Sequence, residues 1–213
     1  MKHTRKLAAL GIAAALAVGL SACSNDSSDD GAPVASDGAT TTAAASDVAF
    51  AQAMIPHHQQ AVAMADMALD PASGASMQVQ DLAAQIKAAQ DPEIQQMTTM
   101  LQGWEQPMSM PGATSPEDMA GMDHDMGGMT VSGMMSEEDM AALDQMTGAQ
   151  FDQEWLQMMT EHHQGAIDMA EQAAAATLDP QVASLANDII TAQQAEIATM
   201  QQMMAPAQGT PAP

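Results

Sequence analysis

The sequence predicts an all-α fold, an antiparallel four-helix bundle built from a duplicated helix pair. Four long stretches carry apolar residues at helical spacing, and no stretch has the strict alternation of a convincing strand. Two of these stretches repeat the other two. Only a short loop joins the helices within each pair, and helices joined in this way run antiparallel in a bundle.

The four long helices are expected at about residues 47–69, 77–103, 150–177 and 179–204. The second contains Asp91-Pro92. Because an interior proline removes an amide donor and crowds the preceding turn, we expect a kink or a restart there. The fourth opens at Asp179-Pro180, a capping aspartate followed by proline at the first helical position.

The duplication is visible residue by residue. In the first and third helices the shared residues keep one offset of 105: Asp47, Phe50, Met54, His57, His58, Gln59, Ala61, Met64 and Ala65 match Asp152, Trp155, Met159, His162, His163, Gln164, Ala166, Met169 and Ala170. In the second and fourth helices the offset is 103: Val79, Leu82, Ala83, Ile86, Gln90, Glu93, Ile94 and Met97 match Val182, Leu185, Ala186, Ile189, Gln193, Glu196, Ile197 and Met200.

The segments outside the bundle, which we place at residues 47–204, differ in composition. Residues 1–22 have a basic start, an apolar run of about 14 residues and a small-small-Cys end. This pattern predicts a lipoprotein signal peptide cut before an acylated Cys23; the alternative is an ordinary secretion signal that leaves a free thiol. Residues 23–46 predict a flexible tether and residues 205–213 a tail. We therefore expect a lipid-anchored protein on the outer face of the cytoplasmic membrane.

Cysteine content and charge exclude several classes of function. Cys23 is the only cysteine, so an internal disulfide is excluded and, once Cys23 is acylated, so is cysteine catalysis or ligation. The formal net charge is −23, and removal of the signal leaves Lys87 as the only Lys or Arg beside 27 acidic residues. Such a surface repels nucleic acid and anionic headgroups and attracts cations. We expect contact with the membrane only through the acyl chain, and no nucleic-acid partner.

Both His-His pairs lie on a methionine-bearing face of their helix. At about 100° of turn per residue, His57 and His58 share a face with Met54 and Met64. The third helix repeats the arrangement with His162, His163, Met159 and Met169. Thioether and imidazole together favour copper, especially Cu(I), over hard cations. The alternative is that methionine fills a core poor in aromatic residues and that each histidine is a hydrogen-bonded core group.

One helix cannot enclose a metal ion. If the repeat brings the first and third helices face to face, the four histidines and four methionines converge. Glu93 and Glu196, with Gln90 and Gln193, would then face the same interior. There the glutamates would be either metal ligands or hydrogen-bond partners that fix the imidazole tautomers.

A long connection rich in methionine and glycine, residues 105–135, separates the two helix pairs. Its centre places His124 between two aspartates, with Met122 and Met126 beside them. Glycine and proline prevent a regular element here, so packing does not explain these residues. They predict a weak site for Cu(I), Cu(II) or Ag(I), and the alternative is a spacer whose methionines absorb oxidants. A short helix from Ser136 to Met146, capped by Ser136 and closed by Gly148, is expected after it.

The doubled motif resembles the paired signatures of the DUF305 family, the domain of unknown function 305. The two copies of the motif are Met54-Ile-Pro-His-His-Gln-Gln-Ala-Val-Ala-Met-Ala65 and Met159-Thr-Glu-His-His-Gln-Gly-Ala-Ile-Asp-Met-Ala170. The resemblance implies a ferritin-like four-helix bundle, commonly exported, with copper-binding relatives. The positions that match the family motif are the four histidines and Met54, Met64, Met159 and Met169, and the resemblance implies that these are the site residues. Asp91-Pro92 and the long connection depart from the family pattern.

Three classes of function follow. The first is an extracytoplasmic protein that sequesters, buffers or hands on copper or silver, with a metal ion and a copper-handling protein as partners and no organic cofactor. The second is a ferritin-like metal-dependent oxidase, which we disfavour because no Glu in the chain has a His three residues later. The third is a structural or partner-binding envelope module. We do not expect an enzyme.

Overall fold

The computed structural model describes residues 44–109 and 132–205, and the regular structure within these ranges is helical throughout. The predicted all-α fold is confirmed. The elements are α1 (Ala45–Leu69), a 3₁₀ turn (Pro71–Ser73), α2 (Met77–Gly103), α3 (Glu137–Asp144), α4 (Ala149–Ala176) and α5 (Pro180–Met204). In the described part of the chain, no helix is both long and apolar enough to cross a membrane. The predicted signal, Cys23 and most of the tether lie outside the described residues.

In each pair, a side-chain cap stabilises the start of the second helix. The Ser76 hydroxyl accepts a hydrogen bond from the Val79 amide at the start of α2, and the Asp179 carboxylate accepts one from the Gln181 amide at the start of α5. Both satisfy amides that lack a partner in the first helical turn. The Asp152 carboxylate on α4 also accepts from the Ser76 amide at 3.0 Å, which ties the two pairs together at this end.

Ser136 caps α3 as expected, in a reciprocal capping box with Asp139. The expectation that Gly148 closes this helix is wrong, because α3 already ends at Asp144. Gly148 is instead the residue before α4, with φ 63° and ψ −136°, a conformation that glycine adopts without a Cβ clash. Its amide donates to the Ser73 carbonyl oxygen at 2.7 Å, so it joins α4 to the loop after α1.

The restart expected at Asp91-Pro92 does not occur, and α2 runs as one helix through Pro92. Its buried face continues on both sides of the proline, through Ile86, Gln90 and Met97. Burial of that face offsets the missing amide donor, which costs about 3 kcal/mol in an isolated helix interior. Pro56 is similarly contained within α1.

Packing is tightest within the pairs α1–α2 and α4–α5, and the pairs meet mainly through α1 and α4. Two apolar clusters form the core. Cluster one includes Phe50, Met54, Met97 and Met169, and cluster two includes Met64, Trp155, Met159 and Met200. Because the start of α1 packs with the end of α4, and the end of α1 with the start of α4, these two helices are antiparallel.

Replacing Pro92, which is exposed, by alanine should stabilise the fold. The new amide can donate to the Ala88 carbonyl oxygen, and we expect a gain of about 1–2 kcal/mol after the entropy of the freer unfolded chain is allowed for. That corresponds to a Tm increase of about 2–8 °C in a calorimeter. P180A is the matched control, because Pro180 is the first residue of α5 and blocks no helical hydrogen bond. Equal Tm changes in the two variants would contradict this explanation.

Candidate metal centre

The four histidines of the doubled motif meet at the middle of the bundle, where α1 and α4 cross. We call this group the His centre; it comprises His57, His58, His162 and His163. At most 1% of the surface of each residue is exposed. The rings of His57 and His162 lie with centroids 3.8 Å apart and planes tilted by 39°. The centroids of His162 and His163 are 6.4 Å apart.

The second helix of each pair, α2 or α5, supplies a carboxylate to this centre. His58 Nε2 lies 2.9 Å from Glu93 Oε2, and His163 Nε2 lies 2.8 Å from Glu196 Oε2. A carboxylate accepts, so the Nε2–H of both rings donates. The glutamate side chains are 17% and 14% exposed, so they form the edge of the centre towards solvent. In this arrangement Glu93 and Glu196 bond to imidazoles and fix their tautomer.

A four-residue segment, Ser132–Met135, lies beside the centre and is called the strap. His57 Nε2 lies 3.0 Å from the Ser132 carbonyl oxygen, which can only accept. Gln60 on α1 holds Met135 by two hydrogen bonds of 2.8 Å, one to its amide and one to its carbonyl. On α4 the strap passes so close to Gly165 that a Cβ there would lie 2.0 Å from the Ser132 carbonyl oxygen.

The strap was not predicted from the sequence. The signal was present in the repeat, because Gln60 and Gly165 occupy equivalent positions in otherwise matching His-His-Gln-x-Ala motifs. Both residues contact the strap, and their difference is explained by it.

In the described structure, most buried polar side-chain atoms without a protein hydrogen-bond partner belong to the four histidines and to Gln90 and Gln193. Apart from Asp47 Oδ1, they are His57 Nδ1, His58 Nδ1, both ring nitrogens of His162, His163 Nδ1, both amide atoms of Gln90 and Gln193 Oε1. Gln90 and Gln193 lie one turn before Glu93 and Glu196. Unpaired buried polar atoms are destabilising, and such a concentration is typical of a site that receives a ligand.

The predicted methionine ligands are all fully buried, and they lie on both sides of the His centre. Met54 and Met169 are in cluster one, and Met64 and Met159 are in cluster two. The structure therefore gathers the four histidines and divides the four thioethers into two pairs. Each pair joins one residue from the first repeat with a non-equivalent residue from the second.

Within residues 44–109 and 132–205, no three His, Cys, Asp or Glu side chains are placed to hold one metal ion together. The unpartnered ring nitrogens nevertheless fit a metal as donors. Cu(I) and Ag(I) accept as few as two ligands, whereas hard divalent ions require more. The other predicted site residues, His124, Met122, Met126 and the lipidation site Cys23, lie outside the described residues.

A model of the family described as "Domain of unknown function (DUF305)" matches residues 47–204. The chain belongs to the DUF305 family. This confirms the resemblance carried by the doubled His-His motif.

Solved structures of DUF305 proteins resemble this one. A DUF305 fragment from Deinococcus radiodurans is 33% identical with a TM-score of 0.64, and the match covers 76% of this chain and 96% of that one. A putative secreted DUF305 protein from Streptomyces coelicolor is 29% identical with a TM-score of 0.65 over 75% and 90% of the two chains. CopM in the Cu(I)-bound form is 32% identical with a TM-score of 0.58 over 74% and 94%. A search of the curated proteins found no match.

Burial keeps His57 and His162 of this DUF305 protein neutral. Desolvation, reinforced by neighbouring His58 and His163, lowers the pKa of His57 from 6.5 to about 3, although the Ser132 carbonyl opposes the shift. Desolvation also lowers the pKa of His162 well below 6.5, and the side chains of His57, His163 and His58 add to the effect, although the His57 backbone opposes it. A neutral imidazole has a lone pair on one nitrogen, the form that a metal requires.

Stability should therefore fall as the pH decreases below about 6.5. The unfolded chain then binds protons that folded His57 and His162 do not, which favours unfolding by up to about 1.4 kcal/mol per pH unit for each residue. Urea unfolding at pH 6.5, 6.0, 5.5 and 5.0 measures the slope. H57Q/H162Q should flatten it, whereas Q90L/Q193L, buried but without a titrating group, should not. Equal slopes in wild type and H57Q/H162Q would contradict this assignment.

Proposed function

We propose that this DUF305 protein is an extracytoplasmic, lipid-anchored metal-binding protein that sequesters, buffers or hands on copper or silver through its His centre. The observation that carries the proposal is the set of four buried imidazoles whose remaining nitrogens have no protein partner. A histidine that serves only the core has both nitrogens satisfied or one exposed.

The donor atoms follow from the hydrogen bonds. His57, His58 and His163 donate through Nε2, so their Nδ1 atoms are free to ligate, and His162 has both nitrogens without a partner. Glu93 and Glu196 would raise the basicity of the imidazoles that they contact, as carboxylates do beside metal-ligating histidine.

Electrostatics favour a cation at this position. Glu93 and Glu196 bond to His58 and His163 and to no Lys or Arg of the described residues. Lys87, the only Lys or Arg in the described ranges, pairs instead with Asp66 at 3.0 Å. Two carboxylates therefore lie at the edge of the His centre without a Lys or Arg partner, and a bound cation would interact favourably with them.

The surrounding side chains favour a soft ion. The fully buried thioethers of Met54, Met64, Met159 and Met169 pack in the two clusters around the histidines. Thioether and imidazole select Cu(I) and Ag(I) over Mg²⁺ or Ca²⁺. The similar protein CopM has been solved in Cu(I)-bound, Cu(II)-bound and silver-bound forms, which is consistent with this choice.

The location and partners are proposed from the sequence. Signal-like residues 1–22 and Cys23 support export and acylation, and a related DUF305 protein is described as putatively secreted. The strongly acidic chain would concentrate cations near the membrane surface. Its partners are then the metal ion, the membrane through the acyl chain alone, and a copper-handling protein that receives or supplies the ion.

Anaerobic Cu(I) titration against a competing chelator tests the His centre. Changing all four histidines to Gln should lower the affinity of the bundle site more than about a hundredfold, since loss of outer partners alone costs 10- to 100-fold. Replacing residues 110–131 by a Gly/Ser linker of equal length keeps the His centre and isolates the contribution of the connection. Circular dichroism checks that both variants fold.

Wild-type affinity and stoichiometry in the four-His variant would contradict the proposal. A wild type that binds no Cu(I) or Ag(I), with a Tm unmoved by either ion, would favour the structural alternative.

A leucine series tests the thioethers. M54L/M169L and M64L/M159L should each weaken Cu(I) binding while changing the free energy of unfolding by less than about 1.5 kcal/mol, because Leu and Met have similar volumes. M97L/M200L is the matched control, since Met97 and Met200 are equally buried in the same two clusters but belong to α2 and α5. If all three variants bind Cu(I) alike, the methionines serve only as packing.

A further inference from the structure

We propose that the strap, Ser132–Met135, is a positioning element of the His centre that holds His57 in the Nε2–H tautomer, and that Gly165 and Gln60 position the strap. The consequence for metal ligation rests on the proposed function. The tautomer and the placement of the strap do not, and they are tested without metal.

The hydrogen bond to Ser132 leaves only one tautomer. A carbonyl oxygen accepts, so the proton of neutral His57 is on Nε2, 3.0 Å away, and its lone pair is on Nδ1. The equivalent residue, His162, has no partner on either nitrogen. The strap therefore makes the two halves of the repeat unequal, because one central imidazole donates to it and the equivalent imidazole does not.

Glycine at position 165 is required by the path of the strap. A Cβ on Gly165 would lie 2.0 Å from the Ser132 carbonyl oxygen and 2.7 Å from the Gly133 Cα, and both are backbone atoms that cannot rotate away. Gly133 is equally constrained, with φ 80° and a Cβ position 2.8 Å from the Glu161 carbonyl oxygen. The strap thus lies directly on the backbone of α4, beside His162.

Gln60 makes the matching attachment on α1. Its side-chain amide donates to the Met135 carbonyl oxygen and its side-chain oxygen accepts from the Met135 amide, both at 2.8 Å. An alanine or glycine at position 60 would lose both bonds, and a glutamine at position 165 would occupy the space of Ser132. Gln60 and Gly165, which occupy equivalent positions in the two copies of the motif, are therefore specialised for opposite sides of one segment.

Nitrogen-15 NMR of the histidine rings in the metal-free protein tests the proposal. Wild type should show His57 with a protonated Nε2 that exchanges slowly with water. In G165A the displaced strap should release this proton, so that the ring samples both tautomers and the exchange rate rises at least roughly tenfold. G103A is the matched control, since a Cβ on Gly103 of α2 meets no atom within 4 Å, and it should leave His57 unchanged.

Q60A provides a second variant that adds no atoms. It should shift the His57 tautomer and exchange rate in the same direction as G165A, and it decides the question if G165A does not fold. Thermal unfolding separates the two glycines further: G103A should keep or raise the Tm, as Gly-to-Ala changes in helices do, whereas G165A should lower it. A wild-type His57 signal in folded G165A or in Q60A would overturn the proposal.

Competition kinetics with Ag(I) add the metal-dependent consequence. Loss of the strap should speed release of Ag(I) by roughly three- to tenfold in Q60A, the effect of one or two lost hydrogen bonds. A wild type that binds no Ag(I) or Cu(I) would refute the proposed function while the NMR result stands. Tight Ag(I) binding with unchanged release in Q60A would refute the role of the strap in ligation alone.

Discussion

The four imidazoles buried in the middle of the bundle require hydrogen-bond partners, and the rest of the structure depends on this constraint. A buried polar nitrogen must be paired or it destabilises the fold by about 1–3 kcal/mol. Three of the four rings meet this requirement at Nε2 alone, with Glu93, Glu196 and Ser132 as acceptors. Each acceptor comes from outside α1 and α4. The outer helices and the strap are therefore needed at these positions, as well as for covering apolar surface.

This requirement explains why α2 tolerates Pro92. Glu93 follows the proline directly and bonds to His58, while Ile86, Gln90 and Met97 continue the buried face on both sides. A break at Pro92 would separate the carboxylate from its histidine and open the core between the two clusters. Tertiary contacts thus override a local signal that in isolation ends or kinks a helix.

The helices and the faces they bury could be predicted from the sequence, because apolar spacing, the Asp179 and Ser136 caps and the 105-residue repeat are all local or periodic signals. The pairing of His58 with Glu93 was one of two alternatives that the repeat left open. The separation of Met54 from Met159 depends on the antiparallel crossing, which residue spacing does not contain. The strap contact joins residues 75 apart in sequence, and Gly148 acts through a loop on the other helix pair, so neither has a local signature.

The strap has a consequence for how such a bundle can be assembled. Two identical hairpins related by a twofold axis would present the same residue at positions 60 and 165, either two glutamines or two glycines. Two glutamines would exclude the strap, and two glycines would leave it unattached. A single chain that carries both hairpins is released from this symmetry, so one half can specialise in holding a segment and the other in making room for it. In this protein, fusion of the two halves permits an asymmetric centre that a homodimer of one hairpin could not form.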